Sequence, residues 1–309
     1  MNVKPKIVVL GIFVADTAYR AERQPRMGET ILGTSFVLGP GGKGSNQSVA
    51  AAMAGGDVTI ISRLGRDAFA DIARATWARA GVVPSVTEDP DSYTGAAYIF
   101  IENATGNNAI IVAAGAAGRI SVADVEERAA LIGGASVFIT QLEQPIPSAK
   151  RALEIARAGG AKTILNPAPA ATLGDDILAL CDYVTPNESE AEGLTGLPVT
   201  TVAEAEKAAD ALLDRGVGAV IITLGEKGAL YRDRTRSVHV PVIGAGPVVE
   251  TTGAGDAFNG GFAVALGEGR DVVDAVRFGC ATAGISVTRA GTAPAMPSRD
   301  EIEALLARS

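Results

Sequence analysis

Histidine is nearly missing from this chain of 309 residues: there is one, His239. Cysteine occurs twice, at Cys181 and Cys280, far apart and outside any C-x-x-C pair. A zinc centre and a Ser-His-Asp triad therefore lack their raw material. A disulfide framework is equally unsupported, and the pattern fits a reducing cytoplasm. His239 lies in the alternating stretch "RSVHVPV" and reads as an ordinary edge-strand residue. Basic charge is also short: Lys and Arg number 27 against 35 Asp and Glu, a net charge of −8. Such a surface repels polyanions on average, which argues against nucleic acid as a partner but not against a small anion in a local site. No apolar run reaches membrane-spanning length. The N-terminal stretch "MNVKPKIVVLGIFVAD" carries a short apolar run that stops at Asp16 and lacks an A-x-A cleavage site. It reads as a first buried strand, not a signal peptide.

What is present is a dense apolar composition, 47% of residues, enough for a sizeable core. Short Val/Ile-rich runs alternate with alanine-rich helical ones. "KIVVLGIFV", "DVTIISRLG", "ASVFITQLE", "AKTILNPA", "LALCDYVTPN" and "AVIITLG" read as strands. "SNQSVAAAMAGG", "DAFADIARATWARAG", "IPSAKRALEIARAGG", "ESEAEGLTG" and "TVAEAEKAADALLDRG" read as helices. Continuous apolar strands alternating with helices predict an α/β fold with a mostly parallel sheet covered on both faces. Two regions break the rhythm, about 14–40 and 92–115. The first holds the alternating "TILGTSFVLG"; the second reads as a hairpin turning at "ATGNN". They predict a small antiparallel sheet, a lid, appended to one domain spanning 1–309.

Glycine clusters mark the candidate sites. In "VVETTGAGDAFNGG" (248–261) a strand is expected to end near Val249 and a helix to begin near Ala257. Gly253 and Gly255 allow close approach of a ligand, and free N–H groups at a helix N-terminus form an anion hole. Asp256 stands beside it, as a proton acceptor or simply as a helix cap. "LGPGGKGSNQS" (38–48) matches G-x-G-x-x-G only formally, through Gly39, Gly41 and Gly44, and fails the Walker A spacing. It reads as a loop whose backbone and Asn46 bind a neutral polar ligand such as a sugar, or as a turn capped by Asn46. Glu143 ends a strand in "ITQLEQP", at the edge where open α/β sheets bind ligands, or is a solvated loop acid. Asn187 and Glu190 form a capping-box pattern; the functional alternative is contact with phosphate and a hydrated Mg²⁺. "TLGEKGALY" (223–231) is a glycine turn, either a nucleotide platform or a plain hairpin.

Taken in order, these stretches resemble the ribokinase family of ATP-dependent sugar kinases, the PfkB group, along nearly the whole chain. The matching residues are "AD" (15–16), "GGKGSNQ" (41–47), "QLE" (141–143), "NPAPA" (166–170), "PNESEAE" (186–192), "TLGEKG" (223–228) and "TTGAGDAFNGG" (251–261). The second and fourth look closer to ribokinase proper than to its cousins. The resemblance implies a kinase acting on the 5-hydroxyl of D-ribose, with 2-deoxyribose or another furanose or nucleoside as the alternative. It implies Asp256 as the base and the backbone of Gly253, Ala254 and Gly255 as the anion hole. Asp16, Gly41, Gly42, Lys43, Asn46 and Glu143 would line the sugar pocket. Asn187, the turn Thr223, Leu224, Gly225, Glu226, Lys227 and Gly228, then Gly255 and Cys280, would contact ATP, with Glu190 near Mg²⁺ through water. The lid would also serve as the clasp of a homodimer.

Three positions depart from the family pattern. Val14 stands where ribokinases usually have Asn before "AD", which removes a hydrogen-bonding group from the sugar pocket and points to a sugar lacking one hydroxyl, such as 2-deoxyribose, to a shifted pose, or to a tolerated variant. Glu250 replaces the usual Asp before "TTGAGD", and Ala295 the usual Ser of the C-terminal loop. Both belong to the implied K⁺ site, with Thr252, Ser286, Arg289 and Gly291.

Overall fold

The computed structural model describes residues 4–309. Its strands are β1 (Lys6–Leu10), β2 (Val14–Ala21), β3 (Ser35–Gly41), β4 (Asp57–Leu64), β5 (Val83–Glu88), β6 (Thr94–Glu102), β7 (Asn108–Gly115), β8 (Val137–Thr140), β9 (Lys162–Leu165), β10 (Tyr183–Val184), β11 (Ala219–Thr223), β12 (Ala229–Arg232) and β13 (Ser237–Val240). Its helices are α1 (Lys43–Met53), α2 (Ala68–Ala80), α3 (Val122–Glu126), α4 (Ala129–Gly133), α5 (Ile146–Ala158), α6 (Asp175–Leu178), α7 (Glu188–Thr195), α8 (Val202–Asp214), α9 (Ala254–Gly267), α10 (Val272–Ser286) and α11 (Arg299–Leu306).

Nine strands form the main sheet in the order β13-β12-β11-β10-β9-β8-β1-β4-β5. The pairings from β11 to β5 are parallel; β12 and β13 close one edge as an antiparallel ribbon. Ile7, Val9 and Leu10 of β1 and all of β8 are buried, as expected of strands sandwiched between two helical layers. One layer buries a cluster around Trp77, Phe258 and Phe262; the other buries one around Phe138, Leu153 and Leu212. His239 lies on the edge strand β13, as its alternation predicts, and its ring bonds the carbonyl of Lys227 at 2.7 Å.

The second sheet has the order β3-β2-β6-β7 and contains both off-rhythm regions. Its outer pairs are antiparallel, and the central β2–β6 pair is parallel. The two central strands run the same way because both follow parallel strands of the main sheet, β1 and β5.

Several boundaries differ from the sequence reading. β10 shrinks to two residues, Tyr183–Val184: α6 (Asp175–Leu178) takes Leu178, and a turn follows it. The first lid hairpin pairs only from Ser35. Strand β5 carries no fully buried residue, so its apolar signal is weak. No strand ends near Val249: residues 241–253 lie outside the sheets, and the N–H of Val249 bonds instead to the carbonyl of Val287 (2.8 Å) at the end of α10. α9 begins at Ala254, three residues before the expected Ala257.

Small residues decide how close α1 and α9 come. A Cβ placed on Gly260 would lie 2.4 Å from Cβ of Ala50. Asn46 lies one turn before Ala50, and Asp256 one turn before Gly260. Close packing at the second turn therefore brings the polar residues of both first turns together. Gly11 and Gly44 make a similar backbone-to-backbone approach, 2.6 Å for an added Cβ, which seats α1 on the end of β1.

Candidate active site

The site sits outside the carboxyl ends of the parallel strands, where an open α/β sheet presents its crevice. Gly253, in the left-handed region at φ 81°, turns the chain into α9, and no side chain caps that helix. Its first-turn N–H groups and dipole thus face a cavity of about 140 Å³ lined also by Lys43, Asn166, Asn187, Glu190 and Thr223.

Asp256 is buried in the first turn of α9. Its Oδ2 accepts a hydrogen bond from Asn46 Nδ2 (3.0 Å) and its Oδ1 one from Gln47 Nε2 (3.0 Å). Burial raises its proton affinity, while Lys43 and the two amide donors oppose the rise. Asp256 is not a helix cap; Gly253 holds that position. Asn46 likewise caps nothing: it sits inside α1, and its Oδ1 is buried without a partner among the described residues.

Two more carboxylates converge here. Glu143 accepts a bond from the backbone N–H of Lys43 (2.8 Å). Burial pushes it up to about 7, against the pull of Lys43. Asp16 projects from β2 against Gly41, where an added Cβ would lie 2.3 Å from its carboxyl group. Burial, then the charges of Asp256 and Glu250, push Asp16 up to about 6. Gly42 adopts φ 88° and passes so near β2 that a Cβ would meet the Ile12 carbonyl at 2.6 Å. Val14, two residues before Asp16, is buried.

At the opposite wall, Asn187 and Glu190 make the full reciprocal capping box, N–H of Glu190 to Asn187 Oδ1 (2.8 Å) and N–H of Asn187 to Glu190 Oε2 (2.9 Å). The box does not remove them from the cavity, which both line. The 223–228 turn closes with the N–H of Leu224 on the carbonyl of Gly228 (2.8 Å). Gly228 has to be glycine on two counts: its φ is 94°, and a Cβ would lie 2.1 Å from the Val240 carbonyl. Thr223 lines the cavity; Leu224 is buried and Glu226 and Lys227 face solvent. Cys280 lies in the core cluster, not on the cavity wall, and burial pushes its thiol up to about 12.

The implied K⁺ ligands are only partly gathered. Glu250 accepts the N–H of Gly291 (2.9 Å). Arg289 pairs with Glu301, Ser286 Oγ donates to the Ala283 carbonyl (2.9 Å), and Ala295 is buried in a 3₁₀ turn (Ala293–Ala295).

Sequence reading missed Gln47, Asn166, Thr185 and Asn259. Each is buried and hydrogen-bonded around Asp256 or the first turn of α9. The "GGKGSNQ" and "NPAPA" stretches contain two of them, yet nothing in one sequence distinguishes Gln47 from its neighbour Asn46.

Comparison with known proteins agrees with this geometry. The family model described as "pfkB family carbohydrate kinase" matches residues 4–299. A ribokinase of Haemophilus influenzae is 38% identical over 296 residues, covering 96% of this chain and 96% of that protein. A deoxyribokinase of Salmonella typhi is 36% identical over 302 residues, covering 97% of this chain and 98% of that protein. A solved structure of Arabidopsis thaliana ribokinase complexed with ribose and ATP superposes with a TM-score of 0.92, at 30% identity, covering 98% of this chain and 99% of that one. An uncapped helix N-terminus beside a buried carboxylate, on this fold and with this kinship, has one consistent meaning: the chain belongs to the pfkB family of carbohydrate kinases and is an ATP-dependent sugar phosphotransferase.

Proposed function

We propose that the chain transfers the γ-phosphoryl group of ATP to the 5-hydroxyl of D-ribose. The observation that carries this reading is the placement of Asp256 beside the uncapped first turn of α9, on one cavity. Asp256 takes the proton of the 5-hydroxyl as its oxygen bonds phosphorus and the bond to the ADP oxygen breaks. Burial suits the carboxylate to that task by raising its affinity for the proton. The N–H groups at Gly253 to Gly255 hold the oxygens of the group in transfer. Asn46 donates to Asp256 and keeps Oδ1 for a sugar hydroxyl; Asp16 and Glu143 accept from others.

Glu190 has Oε2 engaged by Asn187, leaving one oxygen toward the cavity. No cluster of three acidic, His or Cys residues among the described residues forms a metal cage. That donor set fits a hydrated Mg²⁺ carried mainly by nucleotide phosphates. When bound, the ion neutralises phosphate charge. Asn187 and Thr223 to Gly228 are assigned to the nucleotide side; Cys280, buried in the core cluster and off the cavity wall, is left out of that assignment, and activation by K⁺ is weakened by Glu250 and Ala295. The protein works in the cytoplasm, and two copies pair through the lid.

A second reading is favoured by Val14. It is buried in an apolar cluster two residues from Asp16 and offers a sugar hydroxyl no partner. An unpaired buried hydroxyl costs about 1–3 kcal/mol, which favours 2-deoxyribose. ADP formation with each sugar, with and without K⁺, separates the two readings. Efficient turnover of ribose supports the first. Turnover restricted to deoxyribose, with ribose use gained in Val14→Asn, supports the second. Silence with both sugars would overturn both.

A further inference from the structure

Asp256 and the anion hole belong to one helix, yet four elements surround them, and a chain of buried side chains runs through all four. Gln47 Nε2 donates to Asp256 Oδ1 (3.0 Å) and to Asn166 Oδ1 (3.1 Å). Asn166 Nδ2 donates to the carbonyl of Thr185 (3.0 Å). Thr185 Oγ1 donates to Asn259 Oδ1 (2.7 Å), and Asn259 Nδ2 to the carbonyl of Gly255 (2.8 Å). The path begins at the carboxylate, on α1's Gln47, and ends on the first turn of α9.

The direction of every bond is determined. Gln141 Nε2 donates to Gln47 Oε1 (2.6 Å), which commits Gln47 Nε2, with both hydrogens, to Asp256 and Asn166. The Thr185 carbonyl can only accept, so the Asn166 amide must present its oxygen to Gln47. The Gly255 carbonyl likewise orients Asn259. No side chain of the chain can rotate without leaving a polar atom of the network unpaired; Asn166, Thr185 and Asn259 border the cavity, whereas Gln47 is fully buried and off its wall.

We propose that Gln47 and Asn259 are positioning residues: through Asn166 and Thr185 they fix the Asp256 carboxylate relative to the first-turn N–H groups of α9, so that proton acceptor and phosphate cradle act as one unit. This rests on the reading of Asp256 as the base. In-line transfer demands that both hold the same geometry at once, and misplacement by about 1 Å can cost on the order of 10²-fold. Helix geometry alone sets the backbone of Asp256, not the plane of its carboxylate. Gln47, with Asn46 on the other oxygen, sets that plane, and Asn259 holds the turn from the other end.

The test uses the full chain with ATP and whichever of D-ribose and 2-deoxyribose it turns over. Gln47→Met removes the donors at nearly constant size. It is expected to lower kcat about tenfold or more near neutral pH, leave the sugar KM within about threefold, and move the acidic limb of kcat to higher pH. Gln47→Glu keeps the acceptor toward Gln141 but sets a second carboxyl against Asp256. Its limb is expected to move further, with activity recovered at high pH. The other charged groups facing Asp256 (Lys43 on α1, Asp16 on β2, Glu143 after β8, Glu190 on α7) are unchanged in both variants. Gln47→Met combined with Asn259→Leu is expected to lose little more than the worse single variant. An unmoved limb, or losses that simply multiply, overturns the inference. If Gln47→Met does not fold, the limb of Gln47→Glu decides alone. Asp256→Asn separates the two levels: near-normal turnover there overturns the base itself, whereas an inert Asp256→Asn beside normal Gln47 variants overturns only the positioning role.

Discussion

Glu143 and Asp16 carry charge where burial makes charge costly. Their folded values, about 7 and about 6, lie above the ordinary 4.5 and 3.8, so folding favours their protonated forms. That stabilisation is complete below the ordinary values and is lost as pH rises through about 6 for Asp16 and about 7 for Glu143. Ligand-free Glu143→Gln is therefore expected to exceed the parent in stability by about 1–2 kcal/mol near pH 8, with the gap closing near pH 4. Urea midpoints at the two pH values measure this, and an equal gap at both would refute it. On the proposed reading of Glu143 as an acceptor for the sugar, turnover should fall in the same variant. Lys43, Asn46 and Asp256 were legible because glycine clusters flank them, Glu143 because it ends a strand, and Asn187 and Glu190 through their capping-box spacing. Gln47 and Asn259 were not: each is one amide inside a helix, and its role shows only once Asp256 and Thr185, 209 and 74 residues away, are beside it.

At the scale of the element, α9 is a helix whose first turn is shaped for a ligand. A Cβ added to Gly255 would meet nothing within 4 Å, and its φ is not in the left-handed region. Alanine there should leave the fold intact and raise helix stability by up to about 1 kcal/mol. It would also project into space lined by Gly255 and Asp256. Gly255→Ala is thus expected to keep or raise the thermal midpoint while lowering kcat by about tenfold or more. Full activity in this variant would show that the transferring group does not occupy that space. The second turn behaves oppositely. Gly260 faces Ala50 backbone and side chain below 3 Å, so Gly260→Ala should destabilise and part α1 from α9. The early start of α9 at Ala254 escaped sequence reading because a left-handed glycine, not a polar cap, opens it.

For the whole molecule, the four-stranded sheet leaves much apolar surface uncovered. Phe36, Val37 and Leu38 are consecutive and all exposed, as are Ile110, Ile111 and Val112 on the opposite edge. In an isolated strand one of two alternating faces should be buried, so exposure of both calls for a cover. Sedimentation is expected to show a dimer, and Phe36→Glu with Ile111→Glu to yield monomers. A monomeric parent would refute the pairing.

The sequence by itself determined the α/β class, the two off-rhythm regions, with a hairpin in the second, and the residues flanking each glycine turn. These follow from periodicity and backbone freedom, which act over a few neighbours. Only the tertiary structure decided the parallel β2–β6 pairing, the retreat of residues 241–253 from the sheet, and the union of Asn46, Gln47 and Asp256. Those depend on how closely two helices from distant parts of the chain pack, and a missing Cβ at Gly260 acquires that meaning only once Ala50 is beside it.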